Sequence, residues 1–238
     1  MLLDVREVHS FYGDSHILQG INMRIEEGEI VALMGRNGMG KSTTLKSIVG
    51  MVKPRSGSVM FQGKEVSGMP LYRVVREGIG YVPEERRIFP DLSVADNLLL
   101  GQKGGEKKKN SHDNPWTLDR IYNHFPRLKE RTRQMGRFLS GGEQQMLSIG
   151  RSLIGNPRLL LVDEPTEGLA PTMTDEVKKI LSQINKAGTT ILLVENKLKV
   201  TLSLVNRLYV IGKGHIVYEG TAEDFKHNHE IRKNYLEA

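Results

Sequence analysis

The chain has 238 residues, of which 38% are hydrophobic and 26% charged, with a net charge of +6 at pH 7 and no cysteine. That length suffices for a sizeable core, and the lack of cysteine excludes disulfides and thiolate metal sites. No apolar run approaches the ~20 residues that span a bilayer, and Met1 to Arg6 does not have the form of a signal peptide, so a cytoplasmic chain is expected, with any membrane role carried by a partner.

Taken in order, Leu3 to Val8 and Ile21 to Ile25 alternate as strands with one buried face. Between them Phe11-Tyr12-Gly13-Asp14 reads as a turn carrying two aromatics. The apolar run Ile30 to Met34 is a strand, and Lys41 to Val49 has helical spacing. Gly50 and Pro54 break that pattern before a short strand over Gly57 to Gly63. Arg73 to Glu77 reads as helix and Ile79 to Val82 as strand, ending at Pro83.

From Leu92 to Asn156 the periodicities are helical, as in Ser93 to Leu100 and Leu118 to Phe125. This predicts a helical subdomain over 92–156 set in an α/β core formed by 1–91 and 157–238, all one domain. Within it, Lys103 to Asn110 reads as a solvated charged loop, and Trp116 as a packing residue. Leu159 to Val162 and Thr190 to Val194 are continuous apolar runs, suited to parallel strands covered on both faces, with a helix over Thr172 to Ile184 between them. Arg207 to Ile211 and His215 to Tyr218 flank a Gly212-Lys213-Gly214 hairpin signal, and Thr221 with Asp224 resembles a capping box.

The chemistry-bearing stretch is Gly35-Arg36-Asn37-Gly38-Met39-Gly40-Lys41-Ser42, followed by Thr43. It has the phosphate-loop spacing and lies between a strand and a helix, as that motif requires. Glycines let backbone N–H groups turn inward around phosphate oxygens, where the helix dipole favours an anion. Lys41 adds a point charge on the outer phosphates, and the Ser42 hydroxyl is a hard ligand for Mg²⁺. Asp163 and Glu164 close the later apolar strand: the first is placed to organise Mg²⁺, the second to act as general base. Leu139-Ser140-Gly141-Gly142-Glu143-Gln144-Gln145 opens a helix whose buried face uses Met146, Ile149 and Leu153. It makes a second anion-favouring helix N-terminus with no phosphate loop of its own.

These three stretches, with Leu159 to Leu169, resemble the ATP-binding subunits of ABC transporters, in the same order and over nearly the whole chain. The resemblance implies a P-loop NTPase core with an N-terminal antiparallel β region. It implies Tyr12 stacked on adenine, Mg²⁺ on Asp163 and Ser42, Glu164 as base, and Glu167 to Ala170 as a dimer-contacting loop. It further implies a head-to-tail pair of subunits, each capping the other's ATP with Ser140, Gly141 and Gly142. Two membrane permeases would complete the assembly, served by a substrate-binding protein, with the ATPase peripheral on the inner face of the membrane.

Tyr81 to Pro90, Ser93 to Leu98, Phe125 to Leu128, Glu164 to Pro171 and Leu193 to Asn196 are similar to the branched-chain amino-acid uptake ATPases, the LivF type. Two positions depart from the wider family: Glu84 stands where a glutamine usually touches Mg²⁺, and Asn196 where a histidine usually contacts the γ-phosphate. An amide donates a hydrogen bond but carries no charge, so slow intrinsic hydrolysis is expected. An importer of urea or short amides is the alternative cargo reading. A nucleic-acid-associated ATPase would need a second motif set or coiled-coil arms, so no nucleic acid is expected.

Overall fold

The computed structural model describes residues 1–102 and 115–236, and the Lys103 to Asn110 loop lies outside them. The chain divides into two compact units, 1–77 with 190–238, and 78–189.

In the first unit, β1 (Leu3–Tyr12) and β2 (Ser15–Ile25) form an antiparallel hairpin. Both strands run further than their alternation suggested, so the turn shrinks to Gly13-Asp14 and both aromatics become strand residues. Irregular register near Val5 to Val8 interrupts the alternation from which the sequence reading was made. Next come β3 (Ile30–Met34), α1 (Lys41–Ile48), β4 (Ser56–Phe61), β5 (Lys64–Glu65) and α2 (Leu71–Glu77). One sheet of this unit has the order β2-β1-β4-β5.

The second unit starts with β6 (Ile79–Val82), followed by α3 (Val94–Leu99), α4 (Leu118–His124), α5 (Pro126–Glu130) and α6 (Gly141–Leu153). Ser93 and Thr117 cap α3 and α4 through their hydroxyls. Within 92–156 the described residues form helices and turns, with only an isolated bridge between Ser93 and Met135. Trp116 is buried, its indole N–H donating to Thr189 Oγ1 and its ring face under the Arg120 guanidinium. Then β7 (Leu159–Asp163) pairs in parallel with β6, and α7 (Pro171–Lys186) follows.

The chain returns to the first unit at β8 (Thr190–Val194), α8 (Leu198–Leu202), β9 (Arg207–Gly212), β10 (His215–Thr221), α9 (Ala222–His227) and α10 (His229–Tyr235). Here β3 lies between β8 and β9, parallel to both, while β9 and β10 form the antiparallel hairpin. Every residue of β3, β7 and β8 is buried, as the unbroken apolar runs required. Each buried Leu, Ile or Val side chain there contributes roughly 1.5–3 kcal/mol. Thr221 Oγ1 accepts the Asp224 N–H, but the Asp224 carboxylate takes the Thr221 hydroxyl, so the expected reciprocal box is only half formed. No helix of the described residues is long and apolar enough to cross a membrane.

Candidate nucleotide site

In the first unit, β3 delivers the chain into the Gly35 to Ser42 loop and α1 leaves it. Gly35 has φ 156°, and a Cβ there would sit 2.5 Å from the Ile211 carbonyl oxygen, so only glycine lets β3 end this close to β9. Gly40 caps α1 in the left-handed region at φ 109°. The Lys41 side chain folds back over the loop and is 4% exposed. Its ammonium donates to the Gly35 carbonyl at 2.9 Å, the Arg36 carbonyl at 3.2 Å and Asn37 Oδ1 at 3.4 Å.

Asn37 Oδ1 also accepts the Asn196 carboxamide at 3.0 Å, from a residue 159 positions away. The turn bearing Asn196 is itself held by buried Glu195, whose Oε1 accepts the Asn196 and Lys197 N–H groups, both at 2.9 Å. Arg36 reaches the Lys233 carbonyl at 3.3 Å. Tyr12, the last residue of β1, is 49% exposed.

In the second unit, Asp163 ends β7 with 1% exposure, and its Oδ2 accepts the Tyr81 hydroxyl at 3.1 Å. Burial, then the negative charge of Asp163, pushes the Tyr81 phenol well above its ordinary pKa, so it remains a donor. Glu164 follows with φ 42°, a left-handed conformation unusual for this residue type. Strain of this kind costs about 1–3 kcal/mol and collects where function constrains the backbone. Glu84 is exposed and makes no hydrogen bond or ion pair among the described residues. Past it, Arg86 and Arg87 are also left-handed, at φ 61° and 45°. The Arg151 guanidinium holds their carbonyls at 3.3 and 2.7 Å.

Ser140 opens α6 with a complete capping box: its Oγ accepts the Glu143 N–H at 3.3 Å, and Glu143 Oε2 accepts the Ser140 N–H at 2.8 Å. Arg131 adds an ion pair to Glu143 Oε1 at 2.5 Å. Burial works to raise the Glu143 pKa, but the bonds to Ser140 and the charge of Arg131 outweigh it and hold the carboxyl below its ordinary range. Below the cap, Met146, Ile149 and Leu153 are buried as their spacing predicted. Gly141 lies against the Arg86 guanidinium, while Gly142 is buried beneath Met173, where a Cβ would meet Met173 Cε at 2.3 Å.

Gly35 to Thr43, Tyr12 and Asn196 belong to the first unit, where contacts join the loop to Asn196; Glu84, Ser140 to Gly142, Asp163 and Glu164 belong to the second. The sequence reading gave no site role to Tyr81, Arg86 or Met173. Only the pairing register of β6 with β7 would have pointed to Tyr81.

The sequence profile of the family described as ABC transporter matches residues 18–167. The chain belongs to the ABC transporter family. This ABC ATPase is 40% identical over 235 residues to the high-affinity branched-chain amino acid transport ATP-binding protein BraG of Pseudomonas aeruginosa, covering 99% of each chain. It is 31% identical over 236 residues to the lipopolysaccharide export system ATP-binding protein LptB of Escherichia coli K12, covering 98% of this chain and 96% of the other. Among solved structures, a nucleotide-free ATP-binding cassette from an ABC transporter is similar at a TM-score of 0.81 and 26% identity, covering 95% of this chain and 94% of that one. The fold is the α/β ABC ATPase cassette, and its activity is nucleotide binding and ATP hydrolysis.

Proposed function

We propose that this ABC ATPase energises an importer of branched-chain amino acids. The observation that carries this reading is the 40% identity to BraG over 99% of both chains. The lower identity to a lipopolysaccharide export ATPase, 31%, supports ranking uptake above export. In this reading two ATPase subunits pair head to tail beneath two permeases, fed by a substrate-binding protein, and the chain sits peripherally on the cytoplasmic face of the membrane. The helical stretch 92–156 serves as the subdomain that carries the signature residues.

The phosphates of ATP take the N–H groups of Gly35 to Thr43. Lys41 exchanges its carbonyl partners for phosphate oxygens, a charge-assisted bond stronger than the neutral acceptors it leaves. Tyr12 stacks on the adenine. Ser140 and Gly141 cap the γ-phosphate held by the partner subunit, with Gly142 setting the close approach of Met173 to the helix start. Glu164 takes the proton of the attacking water. Asn196 orients the γ-phosphate by a neutral hydrogen bond.

The donors offered to a metal, Ser42, Asp163 and the exposed Glu84, are hard oxygens, which suits Mg²⁺. Among the described residues no group of three or more His, Cys, Asp or Glu could hold a metal alone. Mg²⁺ needs no such cage, since it completes its shell with phosphate and water. When bound it neutralises charge on the transferring phosphoryl group.

Co-purification from the native membrane, followed by transport assay of the recovered complex in vesicles, tests the reading. Permeases that take up leucine, isoleucine or valine with a cognate binding protein are expected. Recovery with permeases that move a lipid, or that import urea or an amide instead, would overturn the cargo assignment and leave the ATPase assignment standing.

A further inference from the structure

Tyr81 has no role in the scheme above, yet its hydroxyl is committed to the aspartate that ends β7. In the parallel pairing of β6 with β7, Tyr81 stands opposite Leu161 and Val82 opposite Val162. Side chains alternate along a strand, so Leu161 and Asp163 share a face, and Tyr81 is on it. A long side chain there leans past Leu161 and reaches the residue two positions further on. That is the bond observed, at 3.1 Å to Asp163 Oδ2.

The strand that delivers this hydroxyl has little freedom to slide. The Tyr81 carbonyl accepts Ser152 Oγ of α6 at 2.9 Å. A Cβ on the preceding Gly80 would lie 3.0 Å from Leu160 and 3.1 Å from Pro157, so the backbone already packs closely there. The last torsion of an Asp side chain has a broad profile, so the plane of the carboxylate is set by the donors it accepts. A donor fixed on one carboxylate oxygen selects the plane of the whole group. Outer partners that orient a metal ligand in this way commonly change metal affinity 10–100-fold when removed.

We propose that Tyr81 is a positioning residue for metal loading, its hydroxyl holding the Asp163 carboxylate in the orientation that receives the Mg²⁺ of bound ATP. The proposal rests on the assignment of Asp163 as the metal carboxylate. It also gives the signature helix a physical route to that carboxylate, from Ser152 through the β6 backbone to the phenol.

The test uses the full chain as wild type, Tyr81→Phe, Asp163→Asn and the double variant. Mn²⁺ binding in the presence of the non-hydrolysable analogue AMP-PNP is followed by electron paramagnetic resonance. AMP-PNP affinity in EDTA is measured alongside, and melting curves fix a temperature at which every protein is folded. Tyr81→Phe is expected to weaken Mn²⁺ binding about 10-fold, at the lower end of that range, with nucleotide affinity in EDTA unchanged. Asp163→Asn is expected to weaken it further, and the double variant to match Asp163→Asn. Wild-type Mn²⁺ binding in Tyr81→Phe, with loss in Asp163→Asn, overturns the role of Tyr81 and leaves Asp163 in place. Wild-type binding in Asp163→Asn overturns both.

Discussion

Asn37 Oδ1 receives the Asn196 carboxamide at 3.0 Å and the Lys41 ammonium at 3.4 Å, so one amide oxygen joins the phosphate loop to the turn after β8. Asn196 is thereby held against the loop by a neutral group. Replacing it by histidine puts an ionisable donor at that place, and a charge-assisted bond is about twice as strong as a neutral one. Asn196→His is expected to raise kcat about 10-fold, equivalent to about 1.4 kcal/mol at the transition state. Steady-state phosphate release by the purified protein checks this. Equal turnover in the two proteins would overturn the expectation that the amide slows hydrolysis.

Glu164→Gln keeps the size of the side chain and removes its basicity. Turnover is expected to fall 10²–10⁴-fold, the range general bases supply, while ATP affinity stays near wild type. Size-exclusion chromatography with ATP should show a stable dimer. A Gln variant that hydrolyses ATP at the wild-type rate would deny Glu164 the role of base.

Gly35→Ala places a Cβ 2.5 Å from the Ile211 carbonyl oxygen at φ 156°. Backbone must move, at a cost of about 1–3 kcal/mol. A melting temperature several degrees lower, together with weakened nucleotide binding, is the expected result. Gly63→Ala is a control that shares a positive φ, 75°, but meets no neighbour within 4 Å, and it should leave nucleotide binding unchanged.

The capping box at Ser140 predicts an acid sensitivity. Glu143 has a depressed pKa in the folded chain, so the unfolded chain binds its proton first as pH falls. Its stabilising contribution is complete above the unfolded value of about 4.3 and is lost as pH falls through the lower folded value. Glu143→Gln should therefore flatten the fall of melting temperature below about pH 4.3. Ser140→Ala removes the other half of the box and should cost about 0.5–2 kcal/mol at neutral pH. Thermal melts across a pH series read both.

The sequence by itself determined what is local. The phosphate loop, the helix starts at Ser93 and Ser140, and the buried strands at Ile30, Leu159 and Thr190 depend on neighbours a few residues away. Their spacing encodes them. The hairpin of β1 and β2 was legible only in outline, because register irregularities hid its full length and moved Phe11 and Tyr12 out of the turn. Tertiary structure alone decided the partners of the site residues. Asn37 meets Asn196 from 159 positions away, and Tyr81 meets Asp163 from 82. Parallel strands are joined by long crossovers, so which side chains face each other follows from strand order and register. A motif can specify the phosphate loop, but not which residue of a neighbouring strand holds the Asp163 carboxylate.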